Sequence, residues 1–523
     1  MEGKVIKTDF PCTGTVLTEE GEVSVKNVIP GQRVSVRVLK KRHGKASGQL
    51  LEVIEASPDE IKPACLHFDP VSGCGGCIYQ NLPYDKQLDL KKGQVKELIC
   101  KVYNGSAEFD DIFEGIQQSP DQFGFRNKME FSFGDEYKDG PLALGMHKRG
   151  GFYDIVTVDD CRIIDEDFRK IIRTVLDFAT ARGLSFYHRV KHTGYLRHLL
   201  VRKGLSTGQI LIALVTSSAS MLSDDPEAEE ASVLQNAADE DRLLEEFTDV
   251  LKQLDSDCLK GEITGIIHIK NDSVADVVKC EEMTVLSGRD WFYEKLLGLT
   301  FRITPFSFFQ TNTKGAEVLY ETVRDFCLGC MDNNADKPVI FDLYSGTGTI
   351  AQIMAPVAKK VVGVEIVKEA VEAAKENSRM NGLDNCEFTA GDVLKVIDEI
   401  EDKPDLIILD PPRDGIHPKA LPKILAYGVK NIVYISCKPT SLARDLEIMQ
   451  EAGYELRRIK CVDMFPASGN VETIVKLVNM GVKPDFTVHL EVDVDEFYEK
   501  VGEDKRHFRE QRERNKKKGG SQE

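Results

Sequence analysis

The sequence predicts an α/β protein: a Rossmann-like sheet, a small β-barrel ahead of it, and a mixed α+β region between the two. Three observations predict this. From about residue 300 to 480, short apolar runs (Val339–Leu343, Lys360–Val364, Leu406–Leu409, Ile432–Ile435) alternate with amphipathic stretches such as Glu369 to Met380. That is the pattern of parallel strands joined by crossover helices, with helices on both faces. Residues 1–56 hold short Val- and Thr-rich runs separated by Gly and Pro turns, as in a small barrel. No apolar run approaches the roughly 20 residues a membrane-spanning helix needs.

Taken in order, the barrel strands are Thr13-Gly14-Thr15-Val16, Val23-Ser24-Val25 and Arg33 to Val38, with a turn at Pro30-Gly31-Gln32. Lys40 to Lys45 forms a basic tip, which reads either as a solvated loop or as part of a nucleic-acid platform. Residues 57–300 form the mixed central region. Within it, 217–241 is rich in Ser, Ala, Asp and Glu and reads as a solvated insertion. Residues 301–480 are the α/β domain, and 481–523 a C-terminal extension ending in a basic tail that reads as a frayed helix. A chain of 523 residues suits about three domains.

The 68 Lys and Arg against 86 Asp and Glu leave a net charge of −18. That argues against diffuse binding to nucleic acid but not against a local basic surface. The first residues carry no apolar leader of the secretory type, and a cytoplasmic location is expected. Thirteen cysteines in a reducing compartment then point to metal ligation or catalysis rather than to disulfides. Cys65, Cys74 and Cys77, with Gly73, Gly75 and Gly76 around the close pair, together with the later Cys161, make a four-thiolate set. Such a set suits zinc or an iron–sulfur cluster, and spacing alone does not choose. Cys327 and Cys330 offer a second pair that could complete a zinc site with Cys74 and Cys77, although they sit on a helical stretch. The tight three-cysteine run of a radical enzyme is missing, so the centre is expected to be structural or positioning rather than redox-catalytic.

The loop Asp342-Leu343-Tyr344-Ser345-Gly346-Thr347-Gly348 follows the first α/β strand. Gly346 and Gly348 let the backbone approach a ligand at a strand-to-helix turn. Glu365 stands 23 residues after Asp342 at the end of the next strand, where an acid can take both ribose hydroxyls. Asp392, after the third strand, could meet an adenine amino group. The third glycine of a dinucleotide fingerprint and the Lys-Ser/Thr of a phosphate loop are both missing. A nucleoside cofactor without phosphates fits better, S-adenosylmethionine foremost.

The fourth strand ends in Asp410-Pro411-Pro412-Arg413, facing the cleft at the carboxyl edge of the sheet. Arg413 occupies the place where enzymes acting on exocyclic amines carry a base-stacking aromatic, which argues against that chemistry. The fifth strand ends in Ser436-Cys437-Lys438-Pro439. Lys438 and the N-terminus of the next helix are expected to favour the Cys437 thiolate. Glu472 lies on the strand expected to return beside the fifth, within reach as a base.

At these motifs, together with Phe306-Ser307-Phe308-Phe309-Gln310-Thr311-Asn312 and Asp463-Met464-Phe465-Pro466, the sequence closely resembles the S-adenosylmethionine-dependent RNA (uracil-C5) methyltransferase family. The resemblance runs from the N-terminal barrel, which looks like the family's TRAM domain, to about residue 480. It implies a class I methyltransferase fold, with Gln310, Tyr344, Glu365 and Asp410 binding the cofactor. It also implies Cys437 as nucleophile, Glu472 as proton acceptor, and a 4Fe-4S cluster on Cys65, Cys74, Cys77 and Cys161. Many members carry His around the Asp-Met-Phe-Pro turn, where this chain has Ala467 and Asn470. The chemistry explains why a thiolate is needed. Carbon 5 of uracil is a poor nucleophile until a thiolate adds at carbon 6 and makes the ring an enolate.

A uracil in folded RNA must leave its stack to be reached. Phe123 to Lys128 and the stretch Tyr195-Leu196-Arg197-His198 with Arg202-Lys203 are candidate contacts, combining basic and aromatic residues. The implied partner is structured RNA, 23S rRNA before tRNA, because barrel and cysteine cluster accompany the rRNA members. No membrane association or obligate protein partner is indicated. RNA cytosine-C5 methylation and a non-catalytic RNA-binding protein are the competing readings. The first usually places a second Cys near the Asp-Pro-Pro turn, which this chain lacks. The second does not explain Cys437 and Glu472.

Overall fold

The computed structural model describes residues 1–481 apart from 43–44, 152, 219–235, 276, 331–336, 397–399 and 401. Most of the insertion read over 217–241, the extension 481–523 with its basic tail, and the turn of the basic tip lie outside the described residues. Met1–Met480 form one compact unit.

Strands β1 (Glu2–Asp9), β2 (Thr13–Thr18), β3 (Gly21–Lys26), β4 (Arg33–Arg42) and β5 (Lys45–Glu55) close into a barrel in the order β1-β2-β3-β5-β4. Alternation does the sorting. Val5, Val16, Val23, Val25, Val34, Val36 and Leu50 point inward and are buried, while their neighbours face out.

The chain then runs through α1 (Tyr84–Cys100), α2 (Phe109–Ile112) and β6 (Phe113–Gln117). The sequence reading assigns this stretch to the central region. The structure instead lays β6 on the edge of the α/β sheet, parallel to a late strand, and packs Val95 and Ile99 of α1 into that sheet's core. The Gln450 side chain ties the junction, donating to Val102 O at 2.8 Å and accepting from Asn104 N at 3.1 Å.

The central sheet has seven strands: β7 (Lys128–Asp135), β8 (Leu142–His147), β9 (Ile155–Thr157), β10 (Leu196–Lys203), β11 (Gln209–Thr216), β12 (Glu262–Lys270) and β13 (Glu282–Gly288). Their order is β13-β12-β11-β10-β7-β8-β9. Helices α3 (Glu166–Ala181) and α4 (Asn236–Asp257) share the core on one face with Phe131, Leu199 and Val201. The other face, with Leu200, Leu211, Ala213 and Val215, joins the core of the α/β region. Burial on both faces explains the unbroken apolar run of β11.

That double burial overturns one RNA contact expected from sequence. Tyr195, Arg197, Arg202 and Lys203 are all buried. Their polar groups are consumed inside the protein. Arg197 donates to the carbonyls of Asn271, Ser273 and Ala275. Arg202 donates to those of Thr304, Pro305 and Ser307 at 2.7, 3.1 and 2.8 Å. Lys203 pairs with Asp165 and Asp167 at 2.9 and 2.7 Å. These cations brace loops; they do not meet phosphate.

A hairpin, β14 (Phe292–Leu296) and β15 (Leu299–Ile303), and helix α5 (Thr313–Leu328) lead into the α/β sheet. Its elements are β16 (Val339–Leu343), α6 (Thr349–Met354), β17 (Lys360–Glu365), α7 (Lys368–Met380), β18 (Cys386–Ala390), α8 (Val393–Val396), β19 (Leu406–Leu409), α9 (Ala420–Ala426), β20 (Asn431–Ser436), α10 (Pro439–Glu451), β21 (Tyr454–Val462) and β22 (Glu472–Asn479). The order is β18-β17-β16-β19-β20-β22-β21-β6. Strands β16 to β20 are parallel, and β22 runs against both β20 and β21. Ile340, Val361, Ile408 and Val433 face α5, α6 and α7. Phe341, Val362, Ile407 and Ile432 face α1, α9 and α10. The order reverses between β17 and β19, on either side of β16. At such a switch point, a crevice opens beyond the carboxyl ends of the strands. No helix among the described residues is long and apolar enough to cross a membrane.

Candidate active site

The loop after β16 is built by its own backbone. Tyr344 N and Ser345 N both donate to Val364 O at 3.0 Å. Tyr344 therefore sits at φ 68°, a left-handed conformation that few side chains adopt. Gly346 N donates to Glu365 Oε2 and Val367 N to Glu365 Oε1, each at 3.0 Å. The end of β17 is thus fastened to the glycine loop. Gly348 opens α6 at φ 72°, and a Cβ there would lie 2.6 Å from the Phe388 ring. Only glycine fits that position without strain. Asp342 is fully buried beneath the loop and accepts Ala351 N at 2.9 Å.

Above this loop lies a cleft of about 1710 Å³. Gln310, Tyr344, Gly346, Glu365, Asp410, Arg413, Cys437, Phe465, Asn470 and Glu472 all line it. The structure therefore brings together seven of the ten residues expected to bind cofactor or do chemistry. Asp342 and Gly348 lie behind the wall. Asp392 does not line the cleft; it caps α8, its Oδ1 accepting Leu394 N at 3.0 Å.

Cys437 and Glu472 meet through sheet register. Ser436 of β20 pairs with Thr473 of β22, and one step further sets Cys437 beside Glu472. The carboxyls of the cleft are themselves buried, and this governs their charges. Burial pushes Asp410 up to about 7. Burial also lifts Glu472 to about 8, helped by the Asp410 carboxylate and opposed by Arg413. The Cys437 thiol rises to about 11 because it is buried and faces Glu472 and Asp410, with Arg413 pulling the other way. The expected depression of this thiol is therefore reversed. Lys438 points away, its Nζ 3.9 Å from exposed Asp414, and α10 begins only at Pro439.

The second cavity, about 130 Å³, is lined by Cys65, Cys74, Cys77 and Cys161 with Met129, Met146 and Arg126. All four thiols of the expected set face it; Cys327 and Cys330 do not. Gly76 N approaches Cys74 Sγ at 3.4 Å and Gln80 Nε2 approaches Cys77 Sγ at 3.7 Å. Burial and the neighbouring thiols push Cys77 up to about 12; Cys161 also reaches about 12, its burial and the neighbouring thiols outweighing the lowering from the Ile163 backbone. No described group of three or more His, Cys, Asp or Glu residues is gathered closely enough for one metal ion.

The stretch Phe123 to Lys128 splits between roles. Phe123 is exposed, Phe125 is core, and Arg126 lines both cavities. Asn127 is buried and donates to Gln310 O at 3.1 Å and Thr313 Oγ1 at 2.9 Å, fixing the loop that carries Gln310. Lys91 was invisible in the sequence. It stands among Asp85, Lys86, Asp89 and Lys92 on α1, yet it is fully buried against Asp463. Only the later fold distinguishes it from its charged neighbours.

A model of the tRNA (Uracil-5-)-methyltransferase family matches residues 274–480. An uncharacterized RNA methyltransferase of Clostridium tetani is 44% identical over 477 residues, 91% of this chain and 97% of its own length. A second, from Caldanaerobacter subterraneus subsp. tengcongensis, is 44% identical over 471 residues, covering 90% and 97%. Among solved structures, the Pyrococcus abyssi tRNA (uracil-54, C5)-methyltransferase in complex with S-adenosyl-L-homocysteine matches with a TM-score of 0.67 at 25% identity. That match covers 91% of this chain and all of the other.

Proposed function

Since the chain belongs to the RNA (uracil-5-)methyltransferase family, we propose that it methylates carbon 5 of one uridine in structured RNA through a covalent adduct on Cys437. The observation that supports this most is the pairing of β20 with β22, which sets a thiol and a carboxyl side by side in the cleft that the glycine loop also lines.

S-Adenosylmethionine, held by Gln310, Tyr344, Glu365 and Asp410, supplies an electrophilic methyl group. The protein's residues do the rest. Cys437 Sγ, as thiolate, adds to carbon 6 of the flipped uracil, and the ring becomes an enolate nucleophilic at carbon 5. After methylation, the Glu472 carboxylate takes the carbon-5 proton. The C–H electron pair forms the C5–C6 double bond, the C6–S bond breaks, and the thiolate returns to Cys437. RNA carrying 5-fluorouridine cannot give up that proton, so it is expected to trap a methylated adduct on the parent protein and none on Cys437→Ala. An untrapped parent protein would sink the reading.

The donor set of the second cavity fits a 4Fe-4S cluster better than zinc. Four thiols surround an open volume, whereas a zinc ion needs them converged at about 2.3 Å from one point. Anaerobic reconstitution should give a visible absorption lost in Cys77→Ser; a colourless zinc protein would favour the alternative. The barrel, read as a TRAM domain, and this centre support 23S rRNA as substrate. tRNA is the competing reading, favoured by the substrate that the family model and the Pyrococcus abyssi enzyme name. Mapping 5-methyluridine in rRNA and tRNA from cells lacking the protein decides between them. Cytosine methylation is disfavoured because Cys437 is the one cysteine among the described residues lining the cleft.

A further inference from the structure

The turn Asp463 to Ala467 carries Phe465 into the cleft and leads within a few residues to Asn470 and Glu472. Several of its polar groups are held from elsewhere in the chain, beside local bonds such as Phe465 N to Asp463 Oδ1 at 3.2 Å and Ser468 Oγ to Phe465 O at 2.8 Å. Lys91 Nζ donates to Asp463 Oδ1 at 2.7 Å and to Phe465 O at 3.0 Å. Asn312 Nδ2 donates to Met464 O at 2.9 Å. Gln87 Oε1 accepts Ala467 N at 2.8 Å, while Ile78 N and Tyr79 N donate to Ala467 O at 2.7 and 2.9 Å. Ala467 itself is held at φ 64°, a left-handed conformation disfavoured for a residue with a Cβ. The turn is thus held by distant clamps as well as by its own local bonds.

Lys91 is the centre of that clamp. Lys91 and Asp463 are both fully buried, so the pair has no water to replace it. The nucleophile is held differently: Cys437 follows the last residue of β20 in the sheet, whereas Glu472 opens β22 opposite Val462, at the mouth of the clamped loop.

We propose that Lys91 is a positioning residue for the catalytic base, locking the Asp463–Ala467 turn so that Glu472 meets the carbon-5 proton. The proposal rests on the reading of Glu472 as that base. It separates two steps of the reaction. Thiolate addition and methyl transfer need Cys437 and the cofactor wall; proton removal needs the clamped turn.

The test compares the parent with Lys91→Met, with the Lys91→Met/Asp463→Asn double variant, which leaves no unpaired buried charge, and with Gln87→Leu. RNA labelled with tritium at carbon 5 reports proton removal, and methyl incorporation is measured separately. The folded variants should form the 5-fluorouridine adduct at the parent rate. On ordinary RNA, kcat should fall on the order of 10²-fold, as for a catalytic group displaced by about 1 Å, with KM little changed. Methylated RNA should accumulate on Cys437 with its tritium retained. Parent-like turnover in the folded Lys91 variants overturns the proposal, as does an equal loss of adduct formation and proton removal, which marks a merely structural role. If the parent itself forms no fluorouridine adduct, the underlying reading has failed instead.

Discussion

The two sides of the cleft are built in opposite ways. The glycine loop of the cofactor side is local: Tyr344, Gly346, Gly348 and Glu365 lie within 22 residues and bond to one another or to residues between them, while Gln310 and Asp410 join from other segments. The base side is assembled from afar, Lys91 reaching Asp463 across 372 positions and Asn312 reaching Met464 across 152. A local site can be altered without disturbing the rest of the fold. A site clamped from three distant segments couples its chemistry to the stability of the whole unit.

The largest effects should come from the reacting groups. Glu472→Gln removes the base but not the nucleophile, so turnover should fall about 10²–10⁴-fold while the adduct still forms and persists on denaturing gels. A variant that turns over normally would move the base elsewhere. Next comes the clamp. Lys91→Met leaves a buried carboxylate unpaired and should cost about 3–5 kcal/mol in urea unfolding. Restoring neutrality with Asp463→Asn should recover much of that loss. On the cofactor side, Gly348→Ala places a Cβ 2.6 Å from the Phe388 ring at a positive φ, at a cost of about 1–3 kcal/mol. Calorimetry should show weakened binding of S-adenosylmethionine, with the ratio of methyl incorporation to tritium release unchanged. If Gly348→Ala and the Lys91 variants failed at the same step, the contrast between the two sides would not hold.

The same contrast explains what could be read from the sequence. Gly346, Gly348 and Glu365 were legible because backbone geometry at a strand-to-helix turn leaves a local trace. Cys437 and Glu472 were legible because strand ends at one edge of a parallel sheet must face one crevice. Lys91 was not, since which charged residue becomes buried depends on segments hundreds of positions away. Arg197, Arg202 and Lys203 misled for a related reason. Basic residues in a strand suggest a phosphate-binding face until the second layer that covers them is known. The ionisation of Cys437 misled most directly. Lys438 is adjacent in sequence, but the charges that face the thiol are Glu472, Asp410 and Arg413, each from another element.

That last error yields the smallest and most graded prediction. In the free protein, the base must be a carboxylate, yet Glu472 is raised to about 8, so its active form is lost as pH falls through that value. The nucleophile must be a thiolate, yet Cys437 is raised to about 11, so its active form still grows above pH 9. Both signs agree: kcat/KM should rise with pH across the neutral range, about tenfold per unit for each group that limits the rate. Adduct formation with 5-fluorouridine RNA needs the thiolate alone. Its rate should therefore keep rising beyond pH 8, where the proton-removal contribution levels off, and in Glu472→Gln, which lacks one carboxylate that raises the thiol, the rise should set in at lower pH. Arg413→Gln removes the one cation that opposes both shifts and should move both limbs to higher pH. A profile that is flat from pH 6 to 9 would mean that the bound substrates, and not the protein's own carboxylates, set the ionisation of the thiol.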